Sequence, residues 1–262
     1  MSFLTNCFLS GSSYGTLNAH RSALSLILNL KNNNDDRIKR LFKGFYRERP
    51  PLPKYTSTWN PSKVLNYISK WYPNNLLTLE KIVKKVTTLL AICTAHRAQT
   101  ISFIKLSNIV HSSEGIYVNI TDIIKTSSLR TQQPRMFLPY FVEDQSICPA
   151  KALEEYIKIT HEIRGDIDYL LITFKKPYKQ ATAQTISRWI KSVLCESGID
   201  TKEFKAHSTR HASTSNAKYL GVSLDIIRKT AGWSKSSENF AKFYNRPIEE
   251  DNNFANYILS AK

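Results

Sequence analysis

The stretch AHSTRHASTSNAKYLGVSLDIIRKTAGWSKSSENFAKFYNRP, residues 206–247, reads as a run of short helices. Gly221 stops one, Ser223 caps the next, and Gly232 stops that. His207 and Arg210 stand three apart at a helix start, so both side chains leave one face toward a common point. Trp233 follows Ala231 and Gly232, and Tyr244 comes eleven residues after Trp233. Each has a bland reading: a surface arginine, a core tryptophan, one tyrosine among 13. The combination is less ordinary, because a guanidinium, an imidazole and an indole N–H can all hold an anion while a phenol attacks it. His211 could pair with His207 on a metal, but the string HSTRH lacks the Glu of an H-E-x-x-H zinc site and has no third ligand nearby. No metal and no cofactor are expected.

Working outward, Thr182–Glu196 predicts a helix with Ile186, Trp189, Ile190 and Val193 on one face and Gly198 ending it, and Pro149–His161 predicts another. DYLLITF between them has the composition of a strand. Further upstream, GIYVNITDII alternates Ile116, Val118 and Ile120 on one face, and RMFLPYF is its expected partner across a Thr, Ser and Gln-rich turn, so Lys125 falls at or near a hairpin. Residues 76–92 carry apolar side chains at 76, 79, 82, 83, 86, 89 and 90, a buried helical stripe. Arg97 emerges just beyond it, ahead of the helix-like ISFIKL that contains Lys105. Asn60 and Pro61 form an N-cap and first-turn pair. Pro50, Pro51 and Pro53 mark a stiff connection before it, and residues 14–30 and Arg37–Tyr46 read as earlier helices.

Thirty-seven Lys and Arg against 21 Asp and Glu give a net charge of +16, which favours a polyanionic partner through counterion release. Nucleic acid is the first candidate. No apolar run reaches about 18 residues, and no secretory signal or lipidation motif is present, so a membrane is not the expected partner. Cys7, Cys93, Cys148 and Cys195 lie far apart and outside any C-x-x-C pair, as reduced core residues do.

The H-x-x-R, Gly-Trp, Tyr series resembles the C-terminal signature of the tyrosine recombinase (phage integrase) family, closest to eukaryotic mobile-element versions such as cryptons. Arg97 in TAHRAQTISFIKLSNI matches the family's first arginine box, and Lys125 in IIKTSS matches its hairpin lysine. The resemblance implies a mainly α fold with a small antiparallel β-sheet (α+β). It divides the chain into a shortened helical, SAM-like core-binding domain at 1–49, a linker at 50–61 and a catalytic domain at 62–262. It also implies site-specific cutting and rejoining of double-stranded DNA through a covalent 3′-phosphotyrosine. Arg97 and Arg210 would clamp the phosphate, His207 would assist proton transfer or hold the phosphate, and Trp233 would donate to an oxygen. Lys125 would protonate the leaving oxygen, and Tyr244 would be the nucleophile. His211 is structural in that scheme. The acidic residue often found three positions after the first arginine is Thr100 here, and the interval from Trp233 to Tyr244 is longer than usual. Phe254, Tyr257, Ile258 and Leu259 read equally as packing on their own domain, whereas the resemblance implies that they dock on a neighbouring subunit in a tetramer. The chain is expected to be soluble, in the nucleus if its source is eukaryotic and otherwise in the cytoplasm. Two alternatives share these features: DNA relaxation of the type IB topoisomerase kind, and a domesticated protein that binds DNA without cutting it.

Overall fold

The computed structural model describes residues 1–28, 35–125, 127, 133–234 and 237–249. The chain divides into two compact units, Met1–Lys54 and Tyr55–Lys262.

The first unit comprises α1 (Ser2–Leu9), α2 (Tyr14–Ile27) and α3 (Asp36–Glu48). Ser13 and Asp35 cap α2 and α3 by accepting from backbone amides of the first turn. Leu4, Phe8, Leu17, Phe42 and Phe45 form a small core in which Phe8 and Phe45 stack at 4.4 Å. Burying one face of α3 leaves Arg37, Arg40, Lys43 and Arg47 exposed. α1 was not foreseen from the sequence: it is short, and its N-cap Met1 makes no side-chain capping bond.

The second unit is built on α5 (Leu79–Thr94), whose apolar stripe is buried over almost its whole length. Thr78 caps it, with its hydroxyl accepting from the Lys81 amide. α4 (Pro61–Ser69) begins as expected, with the Asn60 carboxamide accepting from Ser62. α6 (Ala98–Ser102) follows α5, and α7 (Pro149–Thr160), α8 (Ala183–Glu196) and α9 (Ser208–Tyr219) pack around α5, with α10 (Leu224–Thr230) against α9. Among the described residues the strands β1 (Ile109–His111), β2 (Gly115–Asn119) and β3 (Arg135–Pro139) form one antiparallel sheet in the order β1-β2-β3. The register opposes Ile116 to Leu138 and Val118 to Met136, and all four are buried. The fold is therefore mainly α with a small antiparallel sheet.

DYLLITF is not a strand. Leu170, Leu171 and Ile172 are buried, but the segment makes only isolated bridges, Lys105 to Tyr169 and Ile172 to Gln180. The buried guanidinium of Arg164 donates to the carbonyls of Tyr169 and Leu170, acceptors that a regular ladder would have used, and the Tyr156 hydroxyl takes the amide of Ile172. Lys105 lies beyond the short α6, in that bridge, and pairs with Asp122 at 2.9 Å.

Tyr55 and Trp59 fall within the stretch read as a linker, yet both are buried in the core of the second unit. The Trp59 indole N–H donates to the Ser208 hydroxyl at 2.8 Å, tying the unit's first residues to the start of α9. Trp59→Phe keeps most of the apolar burial and removes the donor. It is expected to cost about 1–3 kcal/mol, measured as a lowered urea midpoint at unchanged slope.

Candidate active site

α9 starts at Ser208 with His207 as its N-cap, and the first turn buries Arg210 completely. What holds the guanidinium there is a carbonyl. Ala95, the residue that ends α5, adopts a left-handed conformation (φ 51°, ψ 21°) and accepts from Arg210 Nη1 at 2.7 Å. A left-handed alanine is unfavourable by itself and persists because its surroundings enforce it. The remaining edge of the guanidinium, Nε and Nη2, has no hydrogen-bond partner among the described residues. Two parallel donors left on one edge match two oxygens of a single anion. Burial and the nearby Arg97 charge lower the Arg210 pKa to about 9, with Tyr244 opposing them. It remains a cation at neutral pH.

Two rings flank that cation. Trp233 lies with its ring 4.2 Å from the guanidinium carbon, and Tyr244 with its ring at 5.4 Å. Trp233 owes its place to the end of α10. Gly232 takes φ +66°, and the amides of Gly232 and Trp233 turn back to the carbonyls of Lys229 and Arg228, a Schellman closure. Tyr244 ends a π-helical turn, Phe240–Tyr244, which takes in one residue more than an α turn. Its hydroxyl lies 3.1 Å from His207 Nε2, its ring stacks on His211 at 4.3 Å, and Trp233 approaches it at 4.9 Å. His207 and His211 therefore both face the phenol, with ring centroids 5.7 Å apart.

Arg97 sits at the N-cap of α6, half-buried, beside a cavity of about 350 Å³ that His96, Gln99, Gln184, Ser187 and His207 also line. Lys125 is exposed in the connection between β2 and β3, and among the described residues no hydrogen bond or ion pair links it to the other five positions. Most of the turn beyond it, residues 126 and 128–132, lies outside the described residues, as do Phe254, Tyr257, Ile258 and Leu259. Thr100 is buried in α6.

The sequence reading singled out neither Ala95 nor His96. His96 is buried next to both arginines and sits under Gly232, where an added Cβ would lie 3.2 Å from its Cε1. Burial first, then the charges of Arg210 and Arg97, lower its pKa to about 3, so it is neutral near physiological pH.

The sequence profile of the phage integrase family matches residues 65–250, and the chain belongs to that family. The solved structure of XerH, a site-specific recombinase bound to its difH substrate in a pre-cleavage complex, is similar at 14% identity with a TM-score of 0.55. The match covers 80% of this chain and 54% of that one. The chain thus spans about half the length of XerH. The integrase of transposon Tn1549, solved with circular intermediate DNA, matches at 11% identity and a TM-score of 0.52, over 100% and 83% of the two chains. Lambda integrase, solved as a tetramer bound to a Holliday junction, matches at 14% and 0.51, over 96% and 65%. At these identities the likeness is one of fold, that of the tyrosine recombinases. No curated protein sequence matches the chain.

The burial of His96 has a consequence for stability. The unfolded chain takes up a proton near the ordinary value of 6.5, whereas the folded chain resists it down to about 3. Below 6.5 the unfolded state binds the extra proton, so stability is lost as pH falls, by at most about 1.4 kcal/mol per pH unit from this group. His96→Gln removes that contribution. Its urea midpoint should fall less steeply than the wild-type value between pH 7 and about pH 5, and parallel curves would assign the pH dependence to other groups.

Proposed function

We propose that the protein is a site-specific DNA recombinase that cuts and rejoins duplex DNA through a covalent 3′-phosphotyrosine on Tyr244. The single observation that carries this is the Tyr244 hydroxyl, hydrogen-bonded to His207 Nε2, beside a buried guanidinium whose Nε–Nη2 edge has no hydrogen-bond partner among the described residues.

A phosphodiester placed against that edge gives two non-bridging oxygens to Arg210, and Arg97 and Trp233 supply further positive charge and a donor. Tyr244 Oη attacks phosphorus and its proton passes to His207. The bond from phosphorus to the 5′ oxygen breaks, and Lys125, reaching in from the β2–β3 connection, gives that oxygen its proton. The 3′ phosphate stays on the tyrosine and a free 5′ hydroxyl remains, so the bond energy is retained and rejoining is the same sequence reversed. This chain supplies the charge and the proton donors from its own side chains, so EDTA should leave cleavage unchanged. Loss of cleavage in EDTA, restored by zinc, would instead favour a metal on His207 and His211.

The net charge of +16 and the basic face of α3 support duplex DNA as the partner, and affinity should fall steeply with salt. The first unit is in this scheme a small helical core-binding domain. A tetramer on DNA is the expected assembly, since lambda integrase adopts one on a Holliday junction.

A nicked duplex that loses its leaving strand traps the covalent complex. With it, Tyr244→Phe should keep DNA binding and yield no adduct. Arg210→Lys, which keeps charge and loses the two-donor edge, should slow adduct formation by about 10²–10³-fold. An adduct persisting in Tyr244→Phe, or mapped to another tyrosine, would remove Tyr244 from the role. DNA binding with no adduct in the wild-type protein would leave a non-cutting DNA-binding protein.

A further inference from the structure

From the N-cap of α9 onward, His207, His211 and Ser215 follow one another at intervals of four, so they lie along one face of the helix. Tyr244 lies along the same face. Its hydroxyl meets His207 at 3.1 Å and its ring covers His211 at 4.3 Å, while its main-chain carbonyl accepts from the Ser215 hydroxyl at 2.8 Å. The Ser215 oxygen in turn accepts from the Arg246 amide at 3.0 Å. One buried hydroxyl therefore fixes the two peptide groups that flank Asn245.

This is not how a serine inside a helix ordinarily spends its hydroxyl. The usual partner is the carbonyl four residues back, as in the neighbouring Thr214, whose hydroxyl donates to Arg210 O at 2.7 Å. Ser215 reaches out of its own helix to a segment 29 residues away. Beyond it the same segment is held again: the Thr58 amide donates to Pro247 O at 2.9 Å and the Glu249 amide donates to Thr58 O at 2.6 Å. Residues 244–249 thus lie seated between α9 and the strap at 57–58. Ser215 is the attachment nearest the phenol, and it stands on the helix that also carries His207 and Arg210.

We infer that Ser215 is a positioning residue for the nucleophile, setting the placement of Tyr244 along α9 so that its hydroxyl meets His207 beside Arg210. This rests on the assignment of Tyr244 as nucleophile. Without the hydroxyl, Tyr244 keeps its ring stack on His211 but loses the backbone anchor that determines how far along the helix its oxygen reaches. Misplacement by a fraction of an ångström to an ångström slows attack without altering how DNA is held.

The test uses the full chain and the nicked suicide duplex, in two forms: one with the normal 5′ oxygen leaving group and one with sulfur in its place, which leaves without needing a proton. Ser215→Ala should bind DNA with unchanged affinity and form the adduct at least about tenfold more slowly on both substrates, because a misplaced nucleophile is not helped by a better leaving group. Lys125→Ala, whose defect lies in protonation, should recover on the sulfur substrate. Ser215→Thr, which retains a hydroxyl, should restore most of the rate on both. Wild-type adduct rates in Ser215→Ala, or recovery of that variant on the sulfur substrate, would overturn the positioning role while leaving the proposed function standing. If Ser215→Thr fails as badly as Ser215→Ala while both bind DNA and melt like the wild type, the hydroxyl is not what matters and the inference falls. Absence of adduct in the wild-type protein on both substrates overturns the proposed function and this inference with it.

Discussion

A fully buried guanidinium held by a backbone carbonyl is the constraint on which the second unit depends. Desolvating a cation is costly, and Arg210 meets that cost with one short bond to Ala95 O and with the faces of Trp233 and Tyr244. Its placement sets the others. Ala95 has to turn left-handed to present its carbonyl, at a cost of order 1 kcal/mol, and that turn ends α5 and releases the chain toward Arg97. The Schellman closure at Gly232 then brings Trp233 over the cation, while His96 packs beneath Gly232. Elements far apart in the sequence converge on one charged group.

That convergence is only partly compensated, and the shortfall is where function enters. Burial first, and then the charge of Arg97, lowers the Arg210 pKa, and burial together with both arginine charges keeps His96 neutral. The uncommitted edge of Arg210 adds unsatisfied donors to unsatisfied charge. An anion with two oxygens would relieve both at once, which is the physical basis of the proposed phosphodiester site. The surrounding chain contributes on a longer range through its excess of Lys and Arg.

The Tyr244 segment follows a different logic, one of main-chain placement. Tyr244 touches α9 at its hydroxyl, its ring and its carbonyl, and the residues after it are bonded to Thr58 at the start of the unit. The strap from Tyr55 to Trp59 reinforces this from the other side. Tyr55 packs edge-on against His211 at 4.9 Å, and Trp59 bonds Ser208 next to His207. Residues that read as linker by their proline content thus support the helix that carries the site.

Local chemistry alone determined much of this protein. The apolar stripe of α5, the caps at Asn60, Thr182 and Ser223, the glycine stops at 198, 221 and 232, and the alternation in β2 and β3 are properties of neighbouring residues, and the elements formed where those properties placed them. The family resemblance carried by His207, Arg210, Trp233 and Tyr244 likewise picked out residues that the fold brings into contact. Other features were decided only by partners distant in the chain. α1 exists because Phe8 finds Phe45, and DYLLITF is irregular because Arg164 takes its carbonyls. Whether Arg210 would be a surface charge or a buried one depended on a carbonyl 115 residues away. A left-handed alanine, a neutral buried histidine and a serine that bonds outside its helix have no signature in composition or period. Their conformations are unfavourable or unremarkable locally and are set by packing across the unit, which is why only the tertiary structure could show them.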